Sequence, residues 1–188
     1  MSFASRIEQA IANLQKFDDA YARAVESATA ELVKAFDAGG KLLVFGNGGS
    51  AADAQHICGE LVGRFQINRP PVSAIALTCD SSVLTAWSND FDYQSVFARQ
   101  VEAHGRAGDV AWGISTSGNS ANVVRGLEQA RKMGVRTIGL SGADGGAMAT
   151  LCDVLLASPA SSTPEVQELH LVTYHFICAE VERRLFAK

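Results

Sequence analysis

The sequence contains no block of like charge, no CxxC pair and no apolar stretch approaching the ~20 residues that a membrane-spanning helix needs. Each absence narrows the field. Sixteen basic and twenty acidic residues, interspersed to a net charge of −4, disfavour non-specific binding to nucleic acid. They leave room for a small anionic substrate, because a few local donors can hold a phosphate. The four cysteines (Cys58, Cys79, Cys152 and Cys178) are scattered in apolar surroundings and read as buried thiols, not as a disulfide frame or a zinc knuckle. The N-terminal residues Arg6, Glu8, Lys16, Asp18 and Asp19 interrupt any apolar core of a signal peptide. A cytoplasmic location, with no nucleic acid and no membrane as partner, is the expectation.

Also missing are internal repeats, low-complexity tracts and linkers. At 188 residues and 47% hydrophobic, the chain fits one domain with a full core. Apolar residues recur at helical spacing from Ile7 through Phe36, predicting one long helix over 3–38 that Gly39 and Gly40 stop. A helix of that length ahead of the first strand packs either on another subunit or on its own domain. Beyond it, apolar runs alternate with helical patterns. Strands are expected at 41–46, 72–77, 109–114, 135–141 and 154–157. Helices are expected at 50–63, 81–88, 95–104, 121–133, 146–151 and 163–186. Apolar strands alternating with helices make a parallel sheet covered on both faces. Trp87 and Trp112 read as core.

In such sheets ligands bind beyond the carboxyl ends of the strands. The segments there are rich in small polar residues: Asn47-Gly48-Gly49-Ser50, Thr78–Ser82, Ser115-Thr116-Ser117-Gly118-Asn119-Ser120 and Ser141–Gly146. The stretch 115–120 follows a strand and opens a helix, where free backbone N–H groups and the helix dipole favour an anion. This suits a phosphate monoester held by neutral donors; the plain alternative is an ordinary capped loop. A P-loop is excluded because no GK[ST] follows the glycines, and a dinucleotide site because no GxGxxG follows the first strand. His56 and Glu60 lie four apart on one helix face, which suits a metal pair, an acid/base pair or a simple surface hydrogen bond. On the last helix Gln167 lies about 80° from His175 and about 60° from His170, on opposite sides. Helix geometry does not choose between the two histidines.

The runs GNGGSAADAQHICGELVGR (46–64), Asn89-Asp90-Phe91, GDVAWGISTSGNSANV (108–123) and Gln167-Glu168-Leu169-His170 with His175 together resemble the phosphoheptose isomerases of the sugar-isomerase (SIS) family. The resemblance runs in order from about residue 40 to the C-terminus. It implies a three-layer flavodoxin-like α/β domain over 1–188 with a five-stranded parallel sheet, divided into an N-terminal oligomerisation helix (1–38) and an α/β core (39–188). It implies a homotetramer with active sites at subunit contacts. The implied reaction converts sedoheptulose 7-phosphate to D-glycero-D-manno-heptose 7-phosphate, at the start of bacterial heptose biosynthesis for lipopolysaccharide core or other heptosides.

Residue by residue, the resemblance implies a phosphate loop of Ser115, Thr116, Ser117 and Ser120. Sugar contacts come from Asn47, Gly48, Gly49, Asn89, Asp90, Glu60 and Gln167. Glu60 is implied as catalytic base and His175 as catalytic acid, leaving His170 structural. Some members of the family bind zinc through side chains matching His56, Glu60, Gln167 and His175. The chain departs from the family in Pro164-Glu165-Val166 before Gln167 and in a short, serine-rich segment over 157–164, which bears on fine substrate contacts. A related SIS protein binds the replication initiator DnaA without a full acid/base set. The joint presence of His56, Glu60, Gln167 and His175 favours catalysis over that role. An isomerase for another sugar phosphate would carry the same phosphate loop. A sugar-phosphate-sensing regulator would accompany a DNA-binding module, for which 188 residues leave no room.

Overall fold

A computed structural model describes residues 2–187. Five parallel strands form the sheet: β1 (Leu42–Gly46), β2 (Ala74–Ala76), β3 (Val110–Ser115), β4 (Arg136–Gly142) and β5 (Val154–Ser158), in the order β2-β1-β3-β4-β5. Side chains alternate across a strand, so β1 divides its residues between two cores. Leu42 and Val44 face a layer of helices α2 (Asp19–Asp37), α3 (Gly49–Val62) and α7 (Thr163–Phe186). Leu43 and Phe45 face α5 (Val96–His104) and α6 (Ala121–Lys132), with α4 (Ser81–Asp90) at the margin. Three layers with an apolar sheet buried on both faces are what the strand pattern predicts. In this order the winding of the sheet changes sense between β1 and β3, which opens a crevice at their carboxyl ends.

The N-terminal region is helical but is two helices, not one. Helix α1 covers Phe3–Leu14, and the chain breaks before α2. Asp18 takes an extended conformation and its carboxylate accepts a hydrogen bond from the Tyr21 amide, capping α2. No glycine or proline marks the break, so apolar periodicity alone runs straight through it. The two helices differ in how far their apolar residues are buried in the chain's own core. Val25, Ala28, Leu32 and Ala35 of α2 are buried in the chain's own core. Phe3, Ile7, Ile11 and Leu14 of α1 form an exposed apolar row.

Trp112 is fully buried in β3. Trp87 is only half-buried, stacked on Phe91 with the Arg99 guanidinium over its ring. All four cysteines are free; Cys58 and Cys178 are buried, but Cys79 is exposed in the loop after β2, contrary to the expectation of four buried thiols. Among the described residues no helix is long and apolar enough to cross a membrane.

Candidate active site

At the crevice between β1 and β3 the two strand-end loops face each other across a cavity of ≈ 290 Å³. It is lined by Asn47, Gly48 and Gly49 on one side, Ser115, Thr116 and Ser120 on the other, and Thr163 and Gln167 from α7. No lysine or arginine is in the lining among the described residues. The Ser120 hydroxyl makes no capping bond to α6; it lies 2.9 Å from the Ser115 hydroxyl, which is 3.4 Å from that of Ser117. The loop's hydroxyls gather on one another, Ser117 Oγ also accepts the Asn119 amide at 3.1 Å, and the N-terminus of α6 that they flank is an end that favours an anion. Gly118 sets the loop's shape with a left-handed φ of 65°. A Cβ there would strike the Gly145 carbonyl. Asn119 ties the loop down by accepting the Ala147 amide at 2.9 Å and donating to the Ser117 carbonyl at 2.9 Å.

The opposite wall is fixed by residues the sequence reasoning did not single out. Asn47 and Asn122 exchange two side-chain hydrogen bonds of 2.8 Å, and the Tyr93 hydroxyl donates to Asn47 Oδ1 at 2.8 Å. Asn89 and Asp90, expected among the sugar contacts, are not part of this lining. They are exposed at the end of α4, where Asn89 donates to Asp90.

Helices α3 and α7 run side by side in the same direction. Gly49 meets Gln167, so closely that a Cβ on Gly49 would overlap the amide. Two turns on, His56 meets His175, with their Nε2 atoms 3.4 Å apart. His56 Nε2 is also 3.0 Å from Glu60 Oε1. One donor atom from each of His56, Glu60 and His175 lies within 4.8 Å of the others. Three of the four expected metal-ligating side chains are thus together, while Gln167 sits two turns back on the cavity wall, against Gly49. Two imidazoles and a carboxylate converging in this way fit a zinc-type cation. Partial burial and the neighbouring His56 both push the His175 pKa down, favouring the neutral ring.

Beyond the end of α3 the two helices are tied by a buried ion pair. Glu182 of α7 accepts the amides of Phe65, Gln66 and Ile67 and pairs with Arg69 at 3.0 Å. Arg69 in turn donates to the carbonyls of Glu60 and Leu61, each at 2.7 Å. Phe65, held by this arrangement, stacks on the His175 ring with centroids 5.5 Å apart. His170 points the other way. It is fully buried, its Nε2–H donates to the Ser141 carbonyl at 3.1 Å, and burial drops its pKa to about 4. It is a neutral core histidine.

A neutral hydroxyl loop paired with an imidazole–carboxylate cluster is an arrangement suited to a sugar-phosphate isomerase, and comparison with known proteins gives the family. The SIS domain family matches residues 7–142. The phosphoheptose isomerase of Crocosphaera subtropica is 53% identical over 174 residues, 93% of this chain and 89% of the relative. The solved phosphoheptose isomerase of Neisseria gonorrhoeae superposes with a TM-score of 0.90 at 40% identity, covering 95% of this chain and 96% of that one. That of Francisella tularensis gives 0.92 at 34% identity, covering 96% of each. The chain belongs to the phosphoheptose isomerases of the SIS family and is an isomerase.

Proposed function

We propose that the chain converts sedoheptulose 7-phosphate to D-glycero-D-manno-heptose 7-phosphate. The observation that carries this reading is the spacing of the two sub-sites. The hydroxyl-lined cavity and the His56–Glu60–His175 cluster are joined along α3 and α7, about two turns or ~10 Å apart. That is the reach of an open-chain seven-carbon sugar phosphate, with phosphate at one end and C1/C2 at the other.

In this mechanism Ser115, Thr116, Ser117 and Ser120 hold the phosphate with hydroxyls and the α6 first turn. Asn47, Gly48, Gly49 and Gln167 orient the sugar hydroxyls, and Asn89 and Asp90 contribute where a subunit contact brings them in. Glu60 removes the proton from C1 or C2 and returns it to the other carbon, while His175 handles the proton on the oxygens. The lowered His175 pKa keeps the ring neutral, and a neutral imidazole has one N–H to donate and one nitrogen to accept a proton. His56, Glu60 and His175 are the residues that would hold zinc, and Gln167, expected as the fourth ligand, would have to reach them from the cavity wall. Bound there, zinc would supply Lewis-acid polarisation of the C1/C2 oxygens. A carboxylate bound to a cation is not simultaneously a free base, so metal and general-base roles of Glu60 compete.

The exposed apolar row on α1 supports assembly through that helix, and a homotetramer is the form proposed. Four free thiols, two of them buried, accord with a reducing cytoplasm. The product would feed bacterial heptose biosynthesis, including lipopolysaccharide core. The converged acid/base cluster weighs against a binding-only role towards DnaA. Glu60→Gln tests the assignment: turnover is expected to vanish with fold and phosphate binding intact, and near-normal turnover would overturn it.

A further inference from the structure

Behind the His56–Glu60–His175 cluster lies a second layer of polar groups that the proposed mechanism does not use. Tyr174 is adjacent to His175 on α7 and fully buried. Its hydroxyl lies 2.9 Å from His56 Nδ1 and donates to Asp53 Oδ1 at 3.4 Å. Asp53 is three residues before His56 on α3, on the same helix face. The tyrosine ring stands edge-on to the His56 ring, 5.4 Å between centroids. The other carboxylate oxygen of Asp53, Oδ2, is buried without a hydrogen-bond partner among the described residues. Among the described residues the Tyr174 hydroxyl is thus the side-chain donor on this carboxylate, through Oδ1 alone.

We infer that Asp53 and Tyr174 are a positioning pair that fixes the orientation and tautomer of His56, and thereby the affinity of the His56–Glu60–His175 cluster for a divalent cation. A phenol has one proton. Given to the Asp53 carboxylate, it leaves the phenol oxygen as an acceptor, and the group beside it is His56 Nδ1. When a cation replaces the 3.0 Å contact of Nε2 to Glu60, Nδ1 then carries the ring's hydrogen. Nε2, the nitrogen facing Glu60 and His175, is left with the lone pair that a cation requires. Carboxylate partners behind ligating histidines commonly act in this way, and here a tyrosine is interposed. The inference rests on the metal reading of the cluster but concerns residues outside it.

The test is zinc affinity of the metal-stripped full chain, measured by competition with a chromophoric chelator. Tyr174→Phe keeps the ring and its packing and removes only the hydroxyl. Its affinity is expected to fall ~10–100-fold, with the thermal midpoint little changed. Asp53→Asn, which keeps an acceptor but loses the charge, should fall between. Tyr21→Phe is the control: it deletes a hydroxyl bonded at 2.8 Å to Thr173 of the same helix, and should bind zinc as the parent does. Unchanged affinity in Tyr174→Phe would overturn the inference, since a purely structural tyrosine predicts that result. If the parent chain binds no zinc, the metal reading fails separately. The pair is then judged on ¹⁵N shifts of the metal-free His56 ring: an Nδ1–H present in the parent and lost in Tyr174→Phe supports it, and the same tautomer in both overturns it.

Discussion

Replacing Glu182 by Gln should cost this protein more than most single changes. The Arg69 and Glu182 side chains are 1% and 3% exposed, and Glu182 is the one carboxylate paired with Arg69 among the described residues. Both carboxylate oxygens are fully engaged, Oε1 by Phe65 N and Arg69 Nε and Oε2 by Gln66 N and Ile67 N, at 2.7–3.1 Å. An amide at this position turns an NH₂ towards these donors and leaves the Arg69 charge buried without a counter-charge. Breaking a buried pair from one side costs ~3–5 kcal/mol, which for a chain of this size lowers the thermal midpoint by ~6–20 °C. The pH dependence gives a second, independent reading. Burial alone would raise the Glu182 pKa, but three backbone N–H groups and Arg69 outweigh it and hold the carboxyl below its usual range. A folded pKa below the unfolded one stabilises fully above the unfolded value, ~4.3, and this contribution is lost as pH falls through the folded value. Thermal melts of parent and Glu182→Gln should therefore differ most at neutral pH and converge as the pH drops below about 4. A loss under ~1 kcal/mol, or a gap that is constant from neutral to acid pH, would refute the argument.

Three further outcomes follow from the geometry. Gly118→Ala forces a left-handed φ on a residue with a Cβ and drives that Cβ into the Gly145 carbonyl, so denaturant unfolding should show at least ~2 kcal/mol lost; parental stability would contradict the loop geometry. Ser120→Ala removes one phosphate donor, so KM should rise ~10-fold or more with kcat little changed; a kcat loss at constant KM would place Ser120 elsewhere in the reaction. Ile7→Glu combined with Ile11→Glu puts charge into the exposed apolar row of α1, and light scattering should report a smaller assembly; an unchanged mass would remove α1 from the interface.

The sheet and its covering helices were legible because the strands are short apolar runs and α1, α2 and α6 keep a helical period between them. The same periodicity concealed the break between α1 and α2, since an aspartate cap leaves no trace in a hydrophobic pattern. The hydroxyl loop was also legible, from four polar side chains between a strand and a helix. The choice between His170 and His175 was not open to helix geometry, because it depends on which side of α7 the sheet lies. Only the packing turns His170 into the core and His175 towards α3. Asp53 could have been noticed by its spacing from His56. Tyr174 could not, since nothing local shows that its hydroxyl meets a helix more than a hundred residues earlier. The Arg69–Glu182 pair, 113 residues apart, is likewise a product of the fold.

The central claim is tested most directly by turnover of sedoheptulose 7-phosphate by the purified chain, coupled to a heptose 7-phosphate kinase, with and without added zinc. The account predicts formation of the aldoheptose 7-phosphate, lost in Glu60→Gln, with a zinc response that tells whether the cation assists the site or occupies its base. A folded, assembled protein that forms no aldoheptose 7-phosphate in either condition would contradict it.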